Sequence, residues 1–456
     1  MSETYDHLLL IGAEVNLVTR GDQAVPVIGI RREDKSDWEA RAPLVPDDVR
    51  RLAKEHGIIV RVQTSTHRRF TEDSYRDSGA DVVDDLGDCP VIMGIKEIPV
   101  EKLQPKRTYL YFSHTLKGQK ANMPALKRLM ELGCTLIDYE RIVDDRNIRL
   151  VFFGRFAGLA GMIDTLWALG RRLLEEKIDN PFASIQPAHK YDDLAHAEAE
   201  LRRIADAIRR EGLPQRLRPF VCGFAGYGHV SQGAQQIYDL LPVEEVAPAD
   251  LPRLRGDSPV CYKVVFKEEH LVERIDRSSP FNLQEYYQQP ARYRASFFPH
   301  VAYLTVLVNG IYWEPKYPVL ISRQQFQTLY GGDKPPRLRV IGDITCDING
   351  SLACTVRATA PDNPIYVYDP ATGEAHDGVR GRGPVVLAVD FLPCELPVDA
   401  SNFFSKTLRD FIPALAKADL SADLAKSGLP PELQRATIVY RGKLTEPYQY
   451  LAKFVG

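Results

Sequence analysis

Along the first 150 residues, short apolar runs alternate with stretches in which apolar positions recur every three or four residues. The runs "AVPVIGI" (24–30), "IIVRVQ", "PVIMGI", "YLYF" and "CTLIDY" are short, apolar and bounded by turn residues, as strands are. Between them "VPDDVRRLAKEHG" (45–57) and "MPALKRLMELG" have helical spacing, and Gly57 supplies a C-terminal stop. Short apolar strands separated by helices predict a parallel sheet.

After residue 150 the pattern changes. "FAGLAGMIDTLWALGRRLLEEK" (156–177) is small or apolar on most faces and reads as a buried helix joining two domains. "KYDDLAHAEAELRRIADAIRREGLP" (190–214) is amphipathic, with Leu194, Leu201, Ile204 and Ile208 on one side. A strand at 219–223 then runs into "GFAGYGHVSQGAQQIYDLL", a glycine-rich turn followed by a helix. Later, "AYLTVLVNGIYW" (302–313), "RLRVIGDITCDING" (337–350), "NPIYVYDP" and "GPVVLAVDFLPCELP" read as strands, and "SNFFSKTLRDFIPALAKA" as a helix. "YGGDKPP" (330–336) reads as a surface loop, and no internal repeat or low-complexity stretch interrupts the series. The fold class expected is α/β: two Rossmann-type, doubly wound parallel-sheet domains with a cleft between them.

Composition narrows the classes. A chain of 456 residues exceeds one ordinary core, so two domains are the default. A formal net charge of −3 gives no basic excess for nucleic acid or an anionic membrane. Cys89, Cys134, Cys222, Cys261, Cys346, Cys354 and Cys394 are odd in number, have no CxxC spacing and suggest no metal site. Reduced thiols in a cytoplasm are the natural expectation. "MSETYDHLLLIGAEVN" lacks the basic start and long apolar stretch of a signal peptide, and no apolar run is long enough to span a membrane.

Candidate chemistry gathers at strand ends. In a parallel sheet, ligands sit beyond the carboxyl ends of the strands. There "PVIMGI" delivers Lys96 and Glu97, "AVPVIGI" is followed by Arg31, Lys35 and Arg41, "YLYF" by Ser113 and His114, and "CTLIDY" by Glu140. Singly, each is ordinary loop solvation. Together they describe a cleft that handles charged ligands and protons. In the second half, a strand at 219–223 meets a glycine-rich turn with Gly226, Gly228 and Gly233, His229 and Val230 among them, and a helix follows. That context suits a dinucleotide pyrophosphate at a helix N-terminus; the bland alternative is a glycine-rich βα turn.

These residues carry a resemblance. "IRREDKSDWEARAPLVP", "GIKEIP", "YFSHTLKGQKANM", "LIDYERIVD", "FGRFAGLAGMID", "GYGHVSQGAQQIYDLLP", "NGIYWEP" and "GDITCDINGS" resemble, in order, the lysine–ketoglutarate reductase half of α-aminoadipic semialdehyde synthase. The lysine-forming saccharopine dehydrogenases are similar at a greater distance, and alanine dehydrogenase at a greater distance still. The resemblance implies a substrate domain at 1–155, a nicotinamide-binding Rossmann domain at 156–355, and a segment, 356–456, returning to the first domain. It implies condensation of lysine with 2-oxoglutarate, reduction of the imine by hydride to saccharopine, and the reverse.

By the same resemblance, Lys96 and His114 are the catalytic acid–base pair; a lysine suits this only if its pKa falls toward neutrality. Arg41 and Arg149 match groups that would hold substrate carboxylates, Glu97 and Glu140 acids that would hold amino groups or tune Lys96, and Asp347 a cleft aspartate, with Asp343 its alternative. Lys35 and Arg31 have lesser claims. The cofactor set is Gly226, Gly228, His229, Val230, Gly233, Asn309 and Asp343. A related opine or amino-acid dehydrogenase, or a silent dinucleotide-binding regulator, is the alternative. Neither nucleic acid nor membrane is expected as a partner, and a homo-oligomer is allowed.

The cofactor itself is expected to be NADP, with NAD the alternative. An NAD-type domain places an acid at the end of its second strand, where it meets the ribose 2′-hydroxyl. "PVEEVAPADL" (242–251) should contain that strand, and past Val246 it reads Ala247-Pro248-Ala249, with Asp250 late and Arg253 and Arg255 close by.

Overall fold

The apolar runs between residues 24 and 139 become parallel strands in the computed structural model, which describes residues 19–20, 23–256 and 260–456. The segment read for a signal peptide, 1–16, lies outside the described residues. Strands β1 (Val27–Ile30), β2 (Ile59–Gln63), β3 (Asp81–Val83), β4 (Val91–Met93), β5 (Thr108–Tyr111) and β6 (Thr135–Asp138) pair in the order β3-β2-β1-β4-β5-β6, all parallel. Every residue of β1, β4, β5 and β6 is buried, which is why these strands read as continuous apolar runs. Helix α1 (Pro46–His56) starts with proline at its first turn and stops at Gly57, whose φ of 66° is left-handed.

The chain divides into two units. One comprises residues up to Phe152 together with Ser401–Gly456; the other is Phe153–Ala400. In the first, Thr437–Tyr440 adds antiparallel to β6 and pairs with Lys443–Leu444. Ser401 and Ser405 accept the backbone N–H groups of Ala42 (2.9 Å) and Val45 (3.0 Å), and Arg409 reaches Asp48 at 2.6 Å. These tie the C-terminal segment to the first turn of α1. The expected return at 356 therefore comes later: residues 356–400 carry strands of the second sheet.

In the second unit α2 (Gly154–Glu175) is buried along most of its length, which accounts for its lack of a polar face. Strand β7 (Phe220–Ala225) leads into α3 (His229–Tyr238), followed by β8 (Val243–Glu245), β9 (Cys261–Phe266), β10 (Val306–Asn309), β11 (Val340–Asp343), β12 (Ile365–Tyr368), β13 (Ala375–Asp377) and β14 (Val385–Leu387). The sheet order is β8-β9-β7-β10-β11-β14-β12-β13, parallel from β8 to β14 and antiparallel beyond. α2 and α3 cross in close contact. A Cβ on Gly158 would lie 1.9 Å from the Val230 carbonyl oxygen, and one on Gly233 2.1 Å from that of Arg155. Only glycine permits this approach.

Candidate active site

In the first unit the strand order reverses between β1 and β4, and open parallel sheets place ligands beyond the carboxyl ends at such a reversal. The segments leaving β1 and β4 meet there. The Glu33 carboxylate accepts the backbone N–H groups of Ile95 (2.7 Å) and Lys96 (2.9 Å), so the turn that carries Lys96 hangs on an acid from the neighbouring strand's loop. Gly94 makes room for it: a Cβ there would meet Arg31 and Glu33 side-chain atoms at 3.1–3.2 Å. Burial pushes the Glu33 carboxyl above its usual range, against the pull of Arg31. Glu33 also lines a cavity of about 390 Å³ with Asp34, Asp37, Thr64 and Glu72.

Glu97 and His114 form the centre of the cluster. His114 Nδ1 lies 2.8 Å from Glu97 Oε1, and Lys35 Nζ 3.6 Å from the same oxygen. Burial opposes ionisation of Glu97, but the His114 hydrogen bond and charge overcome it and hold the carboxyl at about 2. Its other oxygen, Oε2, is buried with no hydrogen-bond partner among the described residues. His114 itself is left-handed, at φ 49°, a conformation that aims its ring while Asn122 Nδ2 donates to its carbonyl at 3.0 Å. The ring stacks on Phe112, over which the Arg149 guanidinium also lies, 5.2 Å from the ring centre. Arg149 Nε donates to the Val151 carbonyl at 2.8 Å, and its charge is offset by Glu140 and Asp138.

Asp138 ends β6 and is fully buried. It accepts the Ser113 N–H (2.9 Å), the Ser113 hydroxyl and the Glu140 N–H (2.7 Å), and burial raises it to about 6. It thereby fixes the segments carrying His114 and Glu140. Arg41 is buried against Glu39, with Nε 2.7 Å from Oε1 and Nη2 on Oε2. Arg31 pairs with Asp34, while Lys35 is half exposed. The structure thus brings together Lys96, Glu97, His114, Lys35 and Glu33, and sets Glu140 beside Arg149. Glu33, Glu39 and Asp138 were not singled out from sequence. Glu33 and Glu39 sit among the charges of "RREDKSDWEAR", where only the cations had drawn notice.

In the second unit the strand order reverses between β7 and β10. Gly226 has φ +91°, and its N–H donates to the Phe266 carbonyl at 2.9 Å. α3 starts at His229 with Gly228 as its N-cap and no side-chain cap. A Cβ built on Gly228 meets nothing within 4 Å, so the turn is open to solvent above uncapped N–H groups, as a pyrophosphate requires. Gly233 serves the α2–α3 contact instead. Asn309, at the end of β10, donates through Nδ2 to Asp343, Thr345 and Ser351 at 2.9 Å each, and its buried Oδ1 has no partner among the described residues. Asp343 is fully buried and also accepts the Thr345 and Thr355 hydroxyls. Burial raises its pKa, and its environment is that of an internal tie. Asp347, in the following loop, is half-buried. The glycine loop, the α3 N-terminus and Asn309 fit a dinucleotide.

One expectation is corrected here. The strands hydrogen-bonded to β7 are β9 and β10; β8, within the stretch 242–251, is the sheet edge. Glu245 on β8 pairs with Lys263 at 3.0 Å, and Asp250 with Arg253 at 3.4 Å on the surface. The acid-free stretch that pointed to NADP is one strand removed from the glycine loop.

Comparison with known proteins defines the class first. Residues 29–160 match the family model for the alanine dehydrogenase/PNT N-terminal domain. An L-alanine dehydrogenase structure superposes with a TM-score of 0.58 at 17% identity, covering 94% of this chain and 100% of that one. The chain has the alanine dehydrogenase-like two-domain α/β fold. Within that class it is similar to α-aminoadipic semialdehyde synthase. It is 39% identical over 446 residues to the Arabidopsis thaliana protein, across 94% of this chain and 41% of the relative, so it spans less than half of that protein. It is 26% identical over 399 residues to saccharopine dehydrogenase [NAD(+), L-lysine-forming] of Emericella nidulans, across 84% of this chain and 90% of the relative. Among the described residues no helix is long and apolar enough to cross a membrane.

Proposed function

We propose that this chain is a nicotinamide-dependent oxidoreductase that condenses lysine with 2-oxoglutarate, reduces the imine to saccharopine and runs the reverse. The observation that carries the reading is the His114–Glu97 pair beside the Glu33-held Lys96 turn, at the reversal point of the first sheet. When bound, the nicotinamide supplies or accepts the hydride. The chain's own groups do the rest. With Nδ1 engaged by Glu97, His114 exchanges protons through Nε2. The Lys96 amine moves protons on and off the reacting nitrogen and the water that makes or breaks the imine.

The orphan Oε2 of Glu97 and the Glu140 carboxylate suit the amino groups of the substrate. Arg149 and Arg41 suit its carboxylates, Glu39 fixing the Nε–Nη2 edge of Arg41. In the second unit the glycine loop and Asn309 hold the dinucleotide, and Asp347 is proposed to face substrate. All seven cysteines are free thiols, which supports a reducing compartment.

The test is oxidation of reduced nicotinamide by the purified chain with lysine plus 2-oxoglutarate, and with each omitted. Turnover only with both supports the reading. Turnover with another amine or keto acid reassigns the chain to a related opine or amino-acid dehydrogenase. Dinucleotide binding without turnover on any pair makes it a regulator.

A further inference from the structure

One buried carboxylate reaches two arms of the first unit's site. Asp138 closes β6, opposite Tyr111 in the register of β5, and is wholly buried. Past Tyr111 the chain turns back onto it. Oδ2 accepts the Ser113 N–H at 2.9 Å and the Ser113 hydroxyl, and Oδ1 accepts the Glu140 N–H at 2.7 Å. The Ser113 hydroxyl proton is spent on Asp138, so Thr115 donates to Ser113 Oγ across 2.8 Å. Ser113 and Thr115 are themselves buried, and the residue between them is His114.

His114 depends on these anchors. A left-handed backbone on a residue other than glycine is costly and persists only where the surroundings over-determine it. His114 has φ 49°. It is pinned by Ser113 before it and Thr115 after it, both tied to Asp138, and by Asn122 on its carbonyl. The other oxygen of Asp138 caps the short turn Tyr139–Arg141, which presents Glu140. Three donors thus converge on two oxygens. An asparagine there would offer one oxygen and turn its own N–H groups toward donors. Burial and the neighbouring Glu140 charge make the ionised form costly at this place, and an apolar residue would fill the space without that cost.

Resting on the function proposed above, we propose that Asp138 is a positioning residue that sets two groups at once, holding His114 for proton transfer and Glu140 for the substrate amine. Being wholly buried, it acts through Ser113 and the Glu140 N–H. The two arms make its kinetic signature separable. Thr115 belongs to the His114 arm alone, whereas Asp138 serves both.

The test is steady-state turnover of the full chain with lysine, 2-oxoglutarate and reduced nicotinamide, for the wild type, Asp138→Asn and Thr115→Val. Asp138→Asn should lower kcat by roughly 10–10²-fold, the cost of a misplaced catalytic group, and also raise KM for lysine. Thr115→Val should lower kcat by a smaller factor and leave that KM unchanged. Hydrogen exchange at the Ser113 and Glu140 amides should quicken in Asp138→Asn. Circular dichroism confirms that each variant is folded. If Asp138→Asn does not fold, Thr115→Val and Ser113→Ala decide, since both cut the His114 arm and keep the carboxylate. Wild-type kcat in those two, or in folded Asp138→Asn, overturns the assignment. A fall in kcat with KM unmoved in Asp138→Asn overturns its hold on Glu140. No wild-type turnover with any amine and keto acid overturns the proposed function, and the positioning role with it.

Discussion

His114 Nδ1 and Glu97 Oε1 are 2.8 Å apart, and the two residues come from loops that follow adjacent parallel strands. The contact fixes one ring nitrogen and, on the function proposed above, leaves the other to exchange protons. Lys96→Met and His114→Gln should therefore fold normally and bind dinucleotide, while turnover falls by roughly 10²–10⁴. Near-wild-type rates in both would reduce the cluster to a solvated turn.

Glu97 should also leave a signature in stability. Its folded pKa of about 2 lies below the ordinary 4.5, so the folded state binds fewer protons than the unfolded one in that range. Its stabilising contribution is complete above about pH 4.5 and disappears as pH falls toward 2. Thermal melts from pH 6 to 3 should show a shallower acid slope for Glu97→Gln than for the wild type. Parallel slopes would count against the pairing.

The second unit should show the opposite sign. Glu395 is buried with Asp164, within 3.2 Å of His189 Nδ1, and burial raises its carboxyl to about 8. Between about pH 4.5 and 8 the folded form holds a proton that the unfolded form has lost, so stability falls as pH rises through this window. Glu395→Gln keeps the shape without the titration. Its melting temperature should change less between pH 6 and 9 than that of the wild type, and an equal change would reject the assignment.

Glu33 is expected to position Lys96 without touching substrate. Glu33→Gln keeps one acceptor oxygen for two backbone donors and should lower kcat about tenfold, with dinucleotide affinity unchanged, from the looser placement of a catalytic group. Glu33→Ala should cost more. An effect on KM alone, with kcat intact, would mean that Glu33 binds substrate.

Gly158→Ala tests the helix crossing. Its Cβ would sit 1.9 Å from the Val230 carbonyl oxygen, so α2 and α3 must part. The expected loss is about 1–3 kcal/mol or more, the usual range for overpacking, measured by chemical denaturation. A loss under about 0.5 kcal/mol, the size of an ordinary surface change, would show that the helices yield freely.

Much of this architecture is legible in the sequence because burial on both faces leaves a continuous apolar run, as in Val91–Met93, and because Gly226 and Gly228 announce an open turn. The charged strand ends are legible for the same reason: the run stops where the sheet does. What sequence withholds is lateral. Neither "PVEEV" nor "CYKVVF" names its neighbours; that the short, largely exposed one is the edge and the longer, buried one lies beside β7 is settled by their hydrogen-bond partners. Glu33 and Glu39 are hidden similarly. Their partners are a distant backbone turn and a neighbouring guanidinium, neither of which leaves a periodic mark. The short strand Asp81–Val83 lacks an apolar run altogether.

Ser401 and Ser405 stand 359 and 360 positions after the backbone groups they bond, Ala42 and Val45. On the ribosome, which synthesises a chain from its N-terminus, these partners emerge after the whole of the second unit. Phe153–Ala400 is uninterrupted and is complete before them. Domains generally fold as units during synthesis, so the later-encoded unit closes first and the earlier one waits until Ser401–Gly456 has been made. A nascent chain stalled just after Ala400 should resist protease in its middle and be cut near α1.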